Sequence, residues 1–326
     1  MCVCGYGVGF IPALPLFSPS QRLYHRGEEC CFAEKSGVQE YNKITWDTES
    51  VPSLPLGKGE KLQAGLAGAY SAVVKLGEEE VLVLAGGANF SKKPLINAFR
   101  EGVAPEKIYH DDIYILRKKD GKYEWTLSET QLPNGAGYGA SIPVENGFLI
   151  VGGEVVDSKT GKKSASKRIL RLTLNAEGKV TLKKEKDAAV AFVKGGSFLQ
   201  KSKAYFVGGM QDGVMSNDVQ ILDLETNEWT KGTPYPGHPR VEPVVAAQAG
   251  GFKNRAQFYL FSGYTKIDGA MTALTDGYAF LPKKGEEKAV WVKTADIIPH
   301  GQDKGIGLLG ASSAKIGLRP ILFFGG

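Results

Sequence analysis

The sequence predicts an all-β fold of four-stranded blades set radially about an axis, a β-propeller, and three observations lead there. A run of apolar residues closed by Gly-Gly or Ser-Gly recurs five times: "LVLAGG" at 82–87, "FLIVGG" at 148–153, "AYFVGG" at 204–209, "FYLFSG" at 258–263 and "PILFFGG" at 320–326. Upstream of each lies a second apolar segment rich in small residues: "GAYSAVV" (68–74), "GYGASIPV" (137–144), "AAVAFV" (188–193), "PVVAAQ" (243–248) and "LLGASSAKI" (308–316). After each of the first four Gly-closed runs come two more short runs, and Trp125, Trp229 and Trp291 recur in the second of these. The last Gly of each run falls 66, 56, 54 and 63 residues after the one before, and such self-similarity marks a repeat architecture.

Each element of the unit has a physical reason. Two apolar runs joined by turn material such as "KLGEEE", "ENG" or "KGGSFLQKSK" read as a β-hairpin. The first run is small because radially arranged sheets converge at a hub, whereas the second, further out, carries Leu, Phe and Tyr. The Gly pair then lets the backbone turn sharply and approach its neighbour without a Cβ clash. Outer strand pairs follow: "DDIYILRKK" with "YEWTL", "KRILRLTL" with "KVTLKK", "NDVQILDL" with "NEWTKG", and "DGYAFLP" with "AVWVKT". In "DLETNEW" (223–229) Asp and Asn sit where a hairpin turn uses side-chain capping. Four antiparallel strands make a propeller blade. By this pattern residues 56–131, 132–186, 187–233 and 234–295 are four blades and 306–326 the inner hairpin of a fifth, while 41–55, with Trp46, reads as an outer strand.

Composition narrows the class. With 42% apolar and 23% charged residues the chain is of ordinary globular type, and 42 glycines in regular doublets point to turns rather than disorder. No run approaches the length of a membrane span. A net charge of +5 is dispersed in clusters such as "KKEK" (183–186), with no basic helix or aromatic-interleaved patch for nucleic acid. All four cysteines (Cys2, Cys4, Cys30, Cys31) lie in the first 31 residues, and His25, His110, His238 and His300 are scattered, which argues against a zinc, copper or radical site. Residues 1–40 share no pattern with the rest and read as an unstructured or mis-assigned N-terminal tail, leaving 41–326 as the propeller domain; the start has no basic region or cleavage site of a secretory signal.

The apolar strand closed by Gly-Gly and followed by a Trp-bearing outer pair resembles the kelch repeat. More narrowly, "AGGANFSKKPLINAF" (85–99), "IYHDDIYIL" (108–116), "LPNGAGYGASIPVENGFLIVGGE" (132–154) and "PGHPRVEPVVA" (236–246) resemble the N-acetylneuraminate epimerase (sialic acid mutarotase) family, with the blade order of a cyclically permuted member. The resemblance implies a six-bladed isomerase of bacterial carbohydrate metabolism, interconverting sialic acid anomers by acid and base steps, with no cofactor and no metal. It also implies a periplasmic setting, although the absence of a signal leaves the cytoplasm open. Measured against six blades, the visible four and a half make the chain a fragment. The blade resembling the one that carries the family's Glu and Arg is absent, and open edges invite self-association.

Candidate site residues follow. Glu154, directly after Gly152-Gly153, is the candidate catalytic base; as a bland alternative it pairs with Lys159 or Arg168. Arg240, in "PGHPRVEP", resembles a family Arg and is the candidate for holding a substrate carboxylate bidentately; its alternative is an ion pair with Glu242. The loop 88–110 is long enough to be functional, with Asn89 and Lys93, and also Lys92 and Arg100, as sugar contacts. His110 reads as a proton shuttle or a structural histidine, and Tyr138 as a stacking or packing residue. The alternatives to an isomerase are a non-catalytic sugar-binding module and a kelch protein-interaction module.

Overall fold

The computed structural model describes residues 51–61, 65–90, 97, 100–102, 106–248, 257–281, 289–299, 301–315 and 321–325. Four antiparallel four-stranded sheets hold most of the strand residues, each a meander whose strands pair in sequence order. The first blade runs Tyr70–Leu76, Glu79–Ala85, Ile113–Lys119, Lys122–Leu127. The second runs Ala140–Val144, Gly147–Val151, Ile169–Leu174, Val180–Lys184. The third runs Gly196–Gln200, Lys203–Val207, Val219–Asp223, Trp229–Lys231. The fourth runs Val244–Gln248, Gln257–Phe261, Gly277–Leu281, Val290–Lys293. A hairpin of Ser312–Lys315 and Ile321–Phe324 follows. Inner strands pack against one another in sequence order around the hub. The fold is an all-β propeller, as the repeat predicts, and among the described residues no helix is long and apolar enough to cross a membrane.

Blade-on-blade packing explains why the second strands are continuously apolar. Their side chains alternate between two interfaces, so both faces are buried. In the second blade Phe148 and Ile150 pack with Val81, Val83, Ile113 and Ile115 of the first. Leu149 and Val151 face the other way, onto Phe206 and Leu222 of the third. Between the third and fourth blades the core is aromatic: Phe198 stacks on Phe258 with centroids 4.0 Å apart and on Tyr205 at 4.7 Å. Each such side chain contributes about 1.5–3 kcal/mol on burial. The tryptophans lock entering segments, Trp125 Nε1 donating to Pro52 O (2.9 Å) and Trp291 Nε1 to Thr233 O (3.0 Å). In the turn at 223–229, Asp223 Oδ1 accepts from the amides of Glu225 and Thr226, and Asn227 is left-handed at φ 57°.

Three expectations need correction or lie elsewhere. The third blade's inner strand is Gly196–Gln200, not 188–193, and "KGGSFLQKSK" holds that strand rather than a turn. Residues 192–193 instead pair with Met210–Gln211 outside the blade. The left-handed residue that opens each inner strand is Lys194 here, so the strand must begin after it. Second, inner strands are not uniformly small: Tyr70, Ile142 and Phe198 are buried in blade interfaces, and crowding selects small residues only at alternate positions, such as Ser71, Ser141 and Ser197. There Ser71 N donates to Ser141 Oγ at 3.0 Å, from the first blade to the second. Third, residues 1–50, with the tail, its cysteines and Trp46, lie outside the described residues; 51–55 form no strand, and Leu54 packs under the first blade.

The Gly pair is demanded by close approach. Gly153 has φ 91°, and a Cβ there would lie 2.0 Å from Tyr70 Oη and 2.6 Å from Gly137 O. Replacing Gly153 by Ala is expected to cost about 2–4 kcal/mol, combining backbone strain with overpacking. A denaturation midpoint unchanged from the parent chain would contradict that account of the doublet.

Candidate functional site

Two residues before each inner strand the backbone takes a left-handed conformation: Gly68 (φ 63°), Tyr138 (62°), Lys194 (56°), Glu242 (55°) and Gly310 (63°). These positions are joined blade to blade. Tyr138 N donates to Gly68 O (2.7 Å), Lys194 N to Tyr138 O (2.7 Å), Glu242 N to Lys194 O (2.7 Å) and Gly310 N to Glu242 O (3.2 Å). Beside this hub ring lie the residues that follow each Gly doublet. Glu154 pairs with Gly137, and Ala88 and Tyr264 bridge to Ala67 and Val241. Left-handed backbone costs a non-Gly residue about 1–2 kcal/mol. Three blades nonetheless place Tyr, Lys and Glu there, and such strain gathers at functional sites.

The side chains of these positions converge. Lys194 Nζ pairs with Glu242 at 3.1 Å and stands 5.2 Å from the centroid of the Tyr138 ring. Lys107 Nζ donates to Tyr138 Oη at 2.8 Å and lies 4.4 Å from the same centroid. Tyr109 Oη donates to a carboxylate oxygen of Glu154, and Lys163 Nζ lies 5.3 Å from the Tyr109 ring centroid. Burial, reinforced by the Glu154 carboxylate, pushes the Tyr109 phenol well above its ordinary range, so it stays protonated and acts as the donor. Burial likewise raises Tyr264, against the opposing pull of Lys194. For Lys194 burial disfavours the charge, yet Glu242, Tyr264 and Glu154 together outweigh it and the pKa rises. The mouth thus holds a carboxylate with one oriented oxygen, protonated phenols and several ammonium groups.

The comparisons fall on this region. The family model described as N-acetylneuraminate epimerase matches residues 32–179. That match spans less than half of the chain, and over it the sequence is similar to the N-acetylneuraminate epimerase family. The chain is similar to the N-acetylneuraminate epimerase of Vibrio vulnificus, 37% identical over 132 residues, covering 39% of this chain and 30% of that relative. It is similar also to that of Brucella melitensis, 38% identical over 121 residues, covering 35% of this chain and 28% of the relative. The matched segment therefore spans under a third of these relatives' length. The solved structure of YjhT aligns over 81% of this chain and 71% of its own, with a TM-score of 0.54 and 13% identity, which establishes the kelch-type propeller fold.

The segment matched by the family model contains Glu154, Lys107, Tyr109 and Tyr138, whereas Lys194, Glu242 and Tyr264 come from later blades. Glu154 sits at the mouth, bound by Tyr109 rather than by Lys159 or Arg168. Asn89 is buried just after its Gly pair, its Nδ2 donating to Gly65 O at 2.8 Å, so it ties the loop to the hub. Lys92 and Lys93 lie outside the described residues, and Arg100 is exposed. His110 is buried, and its Nδ1 lies 3.4 Å from Glu60 Oε1. Sequence reasoning passed over Lys107, Tyr109, Lys194, Glu242 and Tyr264. The available signal was position within the repeat, because each non-Gly residue of the hub ring occupies the slot that Gly68 and Gly310 fill elsewhere.

Arg240 is placed differently from a carboxylate ligand on the rim. It is fully buried, its guanidinium forked onto Asp276 at 2.7 and 3.0 Å and donating to Ser262 O at 3.0 Å. Tyr235 and Tyr278 flank it, at 5.3 and 5.4 Å from guanidinium carbon to ring centroid. Glu242, the expected ion-pair alternative, is taken by Lys194. Burial would raise the Asp276 carboxyl, but the Arg240 guanidinium dominates and holds it below the usual range. A depressed folded-state pKa contributes stability that is present above the ordinary Asp value of ~3.9 and is lost as pH falls through the lower folded value. Asp276→Ala strands a buried guanidinium and should destabilise by about 3–5 kcal/mol, flattening the acid limb of the stability profile. A variant as stable as the parent, with that limb intact in urea melts at several pH values, would refute the clamp.

Proposed function

We propose that the chain acts on a sialic-acid-type 2-keto sugar acid and interconverts its anomers, with Glu154 as the proton-transfer base. The observation that carries this reading is the Tyr109–Glu154 hydrogen bond beside the hub ring, inside the segment that the epimerase family model matches. The chemistry asks little of the protein. The anomeric hydroxyl and the ring oxygen are bonded to one carbon, so a carboxylate over that carbon reaches both. Glu154 accepts the proton of the anomeric hydroxyl, the ring carbon–oxygen bond breaks, and the ring oxygen takes the proton back from the same carboxyl. The open-chain ketone rotates about the adjoining carbon–carbon bond and recloses by the reverse steps on its other face. Tyr109, kept protonated by burial, fixes one oxygen of Glu154 and leaves the other for the sugar.

Freshly dissolved α-anomer of N-acetylneuraminate, followed by exchange NMR, tests the reading. The full chain should speed exchange above buffer. Glu154→Gln should remove about 10²–10⁴ of that acceleration, the usual worth of a positioned acid or base. Tyr109→Phe should cost about tenfold, since it loosens the base without deleting it. Exchange at the buffer rate with the unaltered chain would reject the activity.

A further inference from the structure

Lys107 stands out beside the hub ring as a half-buried ammonium with no carboxylate in direct contact among the described residues. Its Nζ touches Tyr138 Oη and lies over the rings of Tyr138 (4.4 Å) and Phe90 (5.6 Å). Among the described residues no carboxylate is within ion-pairing distance of it, whereas Lys194 has Glu242 at 3.1 Å. A charge taken partly out of water is normally paired, and aromatic faces supply only about 0.5–2 kcal/mol of the compensation. We infer that Lys107 is the cation that receives the ligand's carboxylate, on a seat formed by the Tyr138 and Phe90 rings. The inference rests on the sugar-acid reading above and names the group that selects the acid.

Placement supports it independently of charge. Lys107 is two residues from Tyr109, so the cation and the residue that orients the base share one chain segment. In a 2-keto sugar acid the carboxylate carbon is bonded directly to the anomeric carbon, so the anion seat and the base must be close neighbours. Glu154 does act electrostatically on Lys107. Burial, and then repulsion from Lys194, press the Lys107 pKa down against the weaker pull of Glu154 and Glu242; a carboxylate arriving at Nζ adds the direct pairing that neither of them supplies.

Titration calorimetry of the full chain with N-acetylneuraminate and with its uncharged methyl ester tests this. The parent chain should bind the acid more tightly than the ester. Lys107→Gln should weaken acid binding by about tenfold to a hundredfold, as loss of a charged hydrogen bond does, and leave ester binding unchanged. Lys107→Arg should keep most of the preference for the acid. If Lys107→Gln binds the acid as the parent does, or if the parent binds acid and ester equally, the inference falls while anomer exchange by the parent still upholds the proposed function. Should Lys107→Gln fail to fold by circular dichroism, the parent's acid-to-ester ratio and Lys107→Arg decide. A parent chain that binds neither compound overturns the proposed function and this inference together.

Discussion

The hub ring of backbone hydrogen bonds constrains both the fold and the site. A propeller blade is a self-contained meander, and nothing in its own ladder fixes its angle to the next. Here the amide of each blade's left-handed entry residue donates to the carbonyl of the same residue one blade back, from Gly310 through Glu242, Lys194 and Tyr138 to Gly68. The Gly doublets add a second set of links, Gly87 N to Ala136 O, Gly153 N to Phe192 O and Gly209 N to Arg240 O. Both sets need positive φ and close approach, so glycine recurs with the period of the blades. Apolar packing between the sheets then supplies the bulk of the stabilisation, with directions already set at the centre.

Much of this was legible from sequence because the repeat exposes it. The doublets, the continuously apolar second strands and the outer Trp pairs each reflect a local need: steric room at a turn, burial on two faces, a cap over an entering segment. The third inner strand was misplaced because its opening residues, Lys194-Gly195-Gly196, look like loop while "AAVAFV" just upstream looks like strand. Only the backbone shows that the apolar segment is the approach and the glycines the strand's start. Ser262, left-handed at φ 56°, shows the converse: it holds a glycine's place without being one, its Oγ donating to Leu274 O at 2.7 Å.

The site was partly legible. Glu154 was singled out because it follows a doublet, and the same logic applied to the other side of the hub joins Lys194 and Glu242 to Tyr138, which the sequence also singled out. Arg240 misled for a physical reason. Its residue type and its proximity to an inner strand suit a carboxylate ligand, but the carboxylate it binds is Asp276, 36 residues on in the next outer strand's approach. A sequence gives no sign of which of several acids closes a fork.

The two ends of the hub differ in chemistry, and the cause lies in how the chain turns at each. At the far end short hairpin turns join first and second strands, and a cavity of about 500 Å³ there is lined chiefly by Val73, Val74, Pro143, Val144 and Leu199, with Lys75 and Glu145 at its edge. A tight turn spends its residues on closing the hairpin and has few side chains to send inward. At the doublet end each blade contributes both a left-handed entry residue and the residue after its Gly pair, and the first blade adds the segment bearing Lys107 and Tyr109. Those positions lie outside the four-stranded ladders, so changing their side chains does not disturb blade pairing. Charge and phenols therefore collect at that end, beside the left-handed entry residues Tyr138, Lys194 and Glu242.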